Sequence, residues 1–235
     1  MLLDNFAYNN NFRSVHPGEK LAFGLLMMFL GFISGPIVHL AVFAVMTGIL
    51  VPGAGIPIRF YLRSLLIPPV FLLPGVLVVV ISSGSFDEGM VLFSRSMALV
   101  SCFYFIAMTT PVPDILMLMH RLRVPDLFIE LSLLTYRYLF VLLDAASRIH
   151  VSQNSRLGYA YCGRGLKSMA MLASSLLIKS LKTADELRIS LEARGYDGKL
   201  RVLDHREYRI SSRNIAVILT LTLLLVLLVL GKRIE

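Results

Sequence analysis

Four stretches of the chain carry no Asp, Glu, Lys or Arg: Leu21–Ile58, Ser64–Phe86, Ser96–Pro113 and Asn214–Gly231, or 38, 23, 18 and 18 residues. A helix that crosses a bilayer needs about 20 predominantly apolar residues, so the last three runs each predict one span. The first run is long enough for two, and Ser34-Gly35-Pro36 supplies the break at its middle. Five spans follow, near 21–34, 37–52, 64–82, 90–109 and 214–231. The first two are short and call for tilt or local thinning of the bilayer.

Between the fourth and fifth spans the pattern changes to helical amphipathicity. From Asp126 to Ala146 the chain is apolar except for charges such as Glu130, Arg137 and Asp144, seven residues apart. Seven residues is nearly two turns, so these three line one narrow stripe. In Leu166–Ala193 the residues Leu177, Leu181, Ala184, Leu187 and Leu191 form an apolar stripe, and Lys179, Lys182, Asp185, Glu186, Arg188 and Glu192 cover much of the rest. Gly158, Gly163 and Gly165 mark the turn between the two helices; Gly195 with Asp197-Gly198 ends the second. Two long amphipathic helices in a hairpin lie in a membrane interface or offer a surface to a partner. Pro68, Pro69 and Pro74 should bend the third span, and Pro111, Pro113 and Pro125 bracket a short helix at Asp114–Arg121. The expected fold is all-α: a polytopic helical membrane protein with about five spans and long amphipathic helices. It forms one domain over 1–235, divided into membrane spans (1–112), the amphipathic section (113–212) and a last span (213–235).

Composition agrees with a membrane solution. Apolar residues make up 56% of the 235 residues and charged ones 16%, against about 25% charged in a soluble domain. Charge gives the orientation. Sixteen Lys and Arg against nine Asp and Glu fall between Arg121 and Arg213, which holds +7 of the net +8. Positive residues accumulate on the cytoplasmic side, so this section is expected inside. Arg13, Lys20, Arg59 and Arg63 agree with a cytoplasmic N-terminus, and Asp87 with Glu88 belong to an outside loop. Lys232 and Arg233 are a small exception. The polar N-terminus, with Asp4, Asn5, Asn9, Asn10, Asn11, Arg13 and Glu19 before Leu21, does not read as a cleavable leader.

Catalytic chemistry is hard to find. Gly158-Tyr-Ala-Tyr-Cys-Gly163-Arg164-Gly165 superficially resembles a phosphate-binding loop, but it has Arg for Lys, Gly for Ser or Thr, and no preceding strand. The five histidines show no i, i+3 or i, i+4 pairing, and Cys102 and Cys162 have no CxxC or Cys/His neighbour, so neither a metal site nor a disulfide is expected. His39, inside a span, reads first as a polar side chain bonded to a neighbouring helix, with a metal or proton role as the sharper alternative. Arg95 reads as a long side chain reaching the headgroups, with a transport role as its alternative. No Ser/His/Asp or Cys/His arrangement and no flanking carboxylate pair stands out. The chain is expected to be neither an enzyme nor a nucleic-acid binder, and to carry no cofactor.

Two short stretches follow the long amphipathic helices: Ser155-Arg156-Leu157-Gly158-Tyr159 and Glu192-Ala193-Arg194-Gly195-Tyr196-Asp197-Gly198. Taken alone, each fits a helix cap, with a cation at the negative end of the helix dipole and a glycine in the left-handed turn. Together with the N-terminal Leu3-Asp4, Ala7-Tyr8-Asn9, Arg13 and His16-Pro17-Gly18-Glu19-Lys20-Leu21, the arrangement resembles the transmembrane T component of energy-coupling factor transporters, and its cobalt branch in particular. The resemblance covers nearly the whole chain, and the EARGYDG string is its most specific element. The first motif departs from the family's Ala-Arg-Gly form, and Arg164 in Gly163-Arg164-Gly165 competes with Arg156 for its place.

The resemblance implies a non-catalytic subunit of an ABC-type importer in the cell (inner) membrane of a prokaryote, feeding corrinoid synthesis. Two ABC-type ATPase subunits would grip the coupling helices, with Arg156, Gly158, Arg194 and Gly195, or Arg164, at the contact. A small substrate-capturing membrane subunit that binds cobalt would rest on the apolar faces of 126–146 and 166–193. Nickel is the nearest alternative cargo. A secondary transporter is the different-class alternative, and it lacks the paired intramembrane carboxylates or interrupted helices expected of ion coupling. A membrane-embedded enzyme binding a phosphate-bearing lipid is a third.

Overall fold

A computed structural model describes residues 6–196 together with 220, 222 and 223. The last predicted span therefore lies outside the described residues apart from Thr220, Thr222 and Leu223, as do Asp197 and Gly198 of the second motif. The helices are α1 (Pro17–Ile33), α2 (Pro36–Gly48) with a π-helical continuation Ile49–Gly53, α3 (Ile58–Leu65), α4 (Ile67–Ser83), α5 (Phe86–Thr109), α6 (Val112–Arg121), α7 (Asp126–Ser155) and α8 (Cys162–Ala193). No strand occurs among the described residues. The fold is the all-α polytopic membrane architecture expected.

The local rules that set these boundaries are visible at the caps. His16 Nδ1 accepts from the Gly18 amide at 3.0 Å and Pro17 opens α1, where its missing N–H costs nothing. Pro36 opens α2 in the same way. The third span divides at Leu66, just before Pro68 and Pro69, which sit where α4 begins; Pro74 lies inside α4. Taken through that break, Ile58–Ser83 is 26 residues long, and Pro36–Gly53 and Phe86–Thr109 are also long and apolar enough to cross a membrane.

The described residues form two compact units, one through Ile115 and the other from Leu116. In the first unit α5 is the hub, packed against α1, α2 and α4. Its inner face carries Ala98, Ser101 and Cys102, whose small side chains let the neighbouring backbones approach. Around them Phe23, Met27, Val42, Met46, Leu50 and Tyr61 form a closed core. Tyr61 buries its ring completely because its hydroxyl reaches Thr47 Oγ1 at 3.0 Å. By contrast α4 has no buried residue and exposes Val70, Phe71, Leu77 and Ile81, the composition of a lipid-facing helix.

In the second unit α7 and α8 meet along part of their length. Helix α8 begins at Cys162, so Gly163 and Gly165 belong to its first turn and not to the connecting turn expected from the sequence. The face turned to α7 is the half-buried row Leu172, Leu176, Ser180, Thr183, Leu187 and Leu191. Leu177 and Leu181, expected in one stripe with Leu187, are instead exposed. Both edges of α8 thus carry apolar side chains, and among the described residues only one is covered.

Candidate functional site

The two arginine motifs form the same backbone structure. Helix α7 ends with Arg156 as its C-cap (φ −98°, ψ 18°) and α8 with Arg194 as its C-cap (φ −92°, ψ 8°). At the first end the Leu157 amide donates to Asn154 O at 3.0 Å and the Gly158 amide to Gln153 O at 2.8 Å. At the second, the Gly195 amide donates to Glu192 O and the Tyr196 amide to Leu191 O, both at 3.0 Å. These are the two paired bonds of a Schellman motif, which satisfy the last carbonyls of a helix. Arg156 and Arg194 are therefore equivalent positions, and both are exposed. Arg164 lies elsewhere, in the first turn of α8, its guanidinium 5.6 Å from the Tyr161 ring centroid.

One expectation is corrected. The left-handed residue at the second end is Gly195 (φ 73°), as glycine's freedom predicts, but at the first end it is Leu157 (φ 58°), not Gly158. Glycine is needed at 158 for space: a Cβ there would lie 2.8 Å from both Gln153 O and Ser168 Oγ. That close approach belongs to a network that the sequence did not disclose. Tyr159 Oη donates to Gln153 Oε1 at 2.8 Å, Gln153 Nε2 donates to Ser168 O at 3.0 Å, and Ser168 Oγ donates to Gly158 O at 2.8 Å. The Tyr159 ring also packs on His150, with centroids 4.6 Å apart. The first cap is thereby tied to the start of α8. At the second cap Tyr196 Oη donates to Glu130 Oε2 at 3.3 Å, which uses one of the three stripe charges predicted on α7.

Between the two long helices lies an apolar cavity of about 210 Å³ lined by Leu134, Tyr138, Val141, Ala184 and Leu187 with Ser180 and Thr183.

The N-terminal signature builds a second polar assembly, within the first unit. Asn10 Nδ2 lies within hydrogen-bond distance of Met108 O (3.1 Å) and Thr109 O (3.3 Å) as well as the nearby Ala7 O (2.9 Å). Lys20 Nζ donates to Thr109 O at 3.1 Å. These donors occupy the carbonyl end of α5, where the backbone has no helical partner and the helix dipole favours a cation. Arg13 stands 3.8 Å from the buried Asp114 in the first turn of α6 and stacks over Tyr8. Asn11 continues the seam to the opposite side, its amide donating to Ala54 O at 3.2 Å. Lys20 precedes the charge-free run and is only 4% exposed; burial pushes its ammonium down to about 8, with Asp114 and Glu19 opposing the shift and Arg13 adding to it.

His39 is fully buried with Nδ1 3.2 Å from Ser94 Oγ on α5, the contact with a neighbouring helix expected from the sequence. Arg95 lies 5.7 Å from the Phe32 ring centroid. Cys102 is buried, Cys162 is exposed, and both thiols are free. Among the described residues, no three His, Cys, Asp or Glu side chains group as a metal site.

Comparison with known proteins gives the family. The cobalt transport protein CbiQ of Rhodobacter capsulatus is 36% identical over 66% of this chain and 67% of its own length. The cobalt transport protein CbiQ of Salmonella typhimurium is 29% identical over 83% of this chain and 97% of its own. The energy-coupling factor transporter transmembrane protein EcfT of Staphylococcus aureus is 26% identical over 86% and 85%. The profile of the family described as "Cobalt transport protein" matches residues 9–205, from the signature that clasps α5 past both arginine caps, and the chain belongs to this CbiQ family of energy-coupling transporter components.

Proposed function

We propose that this chain is the energy-coupling membrane subunit of an ATP-driven cobalt importer, receiving motion from two ABC-type ATPase subunits through Arg156 and Arg194. The observation that carries the reading is the equivalence of the two caps: two long helices end in the same turn, each with an exposed arginine at the same position. A guanidinium held at a helix end offers up to five N–H donors in a fixed fork, suited to carboxylates and carbonyls on a partner. Its place at the negative end of the dipole adds local stability, which does not by itself require two such ends to be exposed.

In this reading the basic section and the N-terminus lie on the cytoplasmic side of the cell membrane, following the distribution of positive charge. The exposed apolar residues of α8, including Leu177 and Leu181, support a small substrate-capturing membrane subunit. Cobalt is cargo, selected by that subunit; the chain itself carries no catalytic step. Gly158 and Gly195 shape the two turns, and Arg164 is the substitute candidate at the first contact.

The test is recovery of partners from native membranes extracted in mild detergent with a tag on this chain. Co-purification of ABC-type ATPases with a small cobalt-binding membrane protein is expected. A nickel-binding protein in its place would change the cargo and keep the coupling role. A chain that purifies alone, where other ABC complexes survive, would contradict the reading.

A further inference from the structure

The first arginine cap contains a conformational misfit. Leu157 is the only described residue besides Arg123 that takes a positive φ without being glycine. A left-handed turn places the Cβ of an L-residue too near the following carbonyl oxygen, so glycine is the residue that backbone alone would select there. The equivalent position at the other cap is indeed Gly195. Leu157 gains nothing from burial in return, since 67% of its surface is exposed. A strained backbone that presents a leucine left largely exposed among the described residues is a feature that a partner contact would explain.

The setting narrows what that is. Gly158, one residue on, is locked against Gln153 and Ser168, and Tyr159 is held by Gln153 and His150. The turn is therefore ordered before any partner arrives, and Leu157 is displayed beside Arg156 on a fixed base. Preorganisation of this kind lowers the entropy cost of association.

We infer that Arg156 and Leu157 form a two-pronged plug, in which the guanidinium meets acceptors on an ATP-hydrolysing subunit and the leucine fills an apolar pocket beside them. The inference rests on the coupling role proposed above and deepens it. It also makes the two ends unequal: the Arg194 end has no apolar prong at the matching position, because Gly195 has no side chain. The first end thus depends on shape as well as charge, and the second mainly on charge.

The test uses three substitutions in the tagged full chain, with co-purified ABC-type ATPase subunits as the probe. Leu157→Gly removes the prong and relieves the turn; Leu157→Ala removes the prong and keeps the strain; Leu157→Met keeps an apolar prong. The expected result is that Leu157→Gly and Leu157→Ala retain the ATPases about tenfold more weakly, as loss of one buried leucine contact implies, while Leu157→Met stays near wild type. The thermal midpoint of the isolated Leu157→Gly chain is expected to hold or rise, so that stability and partner binding move in opposite directions. A merely structural residue would lower both together. Undiminished retention in Leu157→Gly and Leu157→Ala, with the wild type retaining its ATPases, would overturn the plug and leave the coupling role standing. Failure of the wild type to retain any ATPase would overturn both.

Discussion

The two compact units solve the problem of an apolar helix in opposite ways. The first closes on itself: Met27, Val42, Met46, Leu50, Tyr61 and Met108 are essentially inaccessible, and polar groups at the helix ends find donors within the unit. The second leaves its apolar residues open. α7 buries only Ile129 and Ala145, α8 buries none, and Leu127, Phe128, Leu139, Leu177, Leu181 and Ile189 are exposed. In lipid, apolar contact with tails is as favourable as contact with leucine, so the close packing of the first unit reports specific shape. Among the described residues the second unit leaves this apolar surface uncovered, as the proposed coupling role requires.

This contrast can be broken first through the core. Met46→Ala should destabilise the isolated chain by about 2–5 kcal/mol, seen as a large drop in thermal midpoint in detergent. Leu177→Ser with Leu181→Ser should leave that midpoint nearly unchanged and reduce recovery of the substrate-capturing subunit. If both changes destabilise the isolated chain alike, the second unit is closed and the contrast fails.

A middle-sized effect is expected where the signature clasps α5. Lys20→Met keeps the apolar stem and removes one donor from the Thr109 carbonyl, for a cost of about 1–3 kcal/mol. Amide exchange should then rise over residues 105–114 and remain unchanged in α8. At the first cap, Gln153→Ala removes two side-chain bonds, and the local loss should be about 0.5–1.5 kcal/mol, read as faster exchange of the Gly158 amide.

A separate effect is in pH. With the folded pKa of Lys20 near 8 and the free value near 10.5, folding disfavours the charged form. The penalty is complete below about 8 and relieved as pH rises toward 10.5, so wild-type stability should climb across that window relative to Lys20→Met. A flat difference between the two chains would mean that Lys20 keeps its ordinary pKa.

Much of this fold is legible in the sequence. Charge-free runs marked the helices α1, α2, α4 and α5, because unpaired charge is costly in lipid, and Ser34-Gly35-Pro36 marked a true break; among the described residues three stretches are long and apolar enough to cross a membrane, and the 17-residue α1, expected as the first span, is not one of them. The arginine–glycine stretches marked the ends of α7 and α8. Long-range and steric facts were not legible. Nothing local pairs Asn10 with carbonyls 98 and 99 residues away. The start of α8 at Cys162 was hidden by Gly163 and Gly165, which weaken a helix without forbidding one. The half-buried row on α8 differs from the expected stripe because that stripe was drawn through the leucines, whereas Ser180 and Thr183 share the row facing α7. At the first cap, composition pointed to Gly158 as the left-handed residue, and only the backbone reveals Leu157 there with Gly158 needed for clearance.

The most direct test of the coupling account is ATP-dependent uptake of radioactive cobalt by proteoliposomes containing the purified complex. The wild type should accumulate cobalt only when ATP is supplied to the ATPases, and Arg156→Ala with Arg194→Ala should abolish uptake while the chain still inserts and folds. Uptake by this chain without ATPases, or undiminished uptake in the double variant, would contradict it.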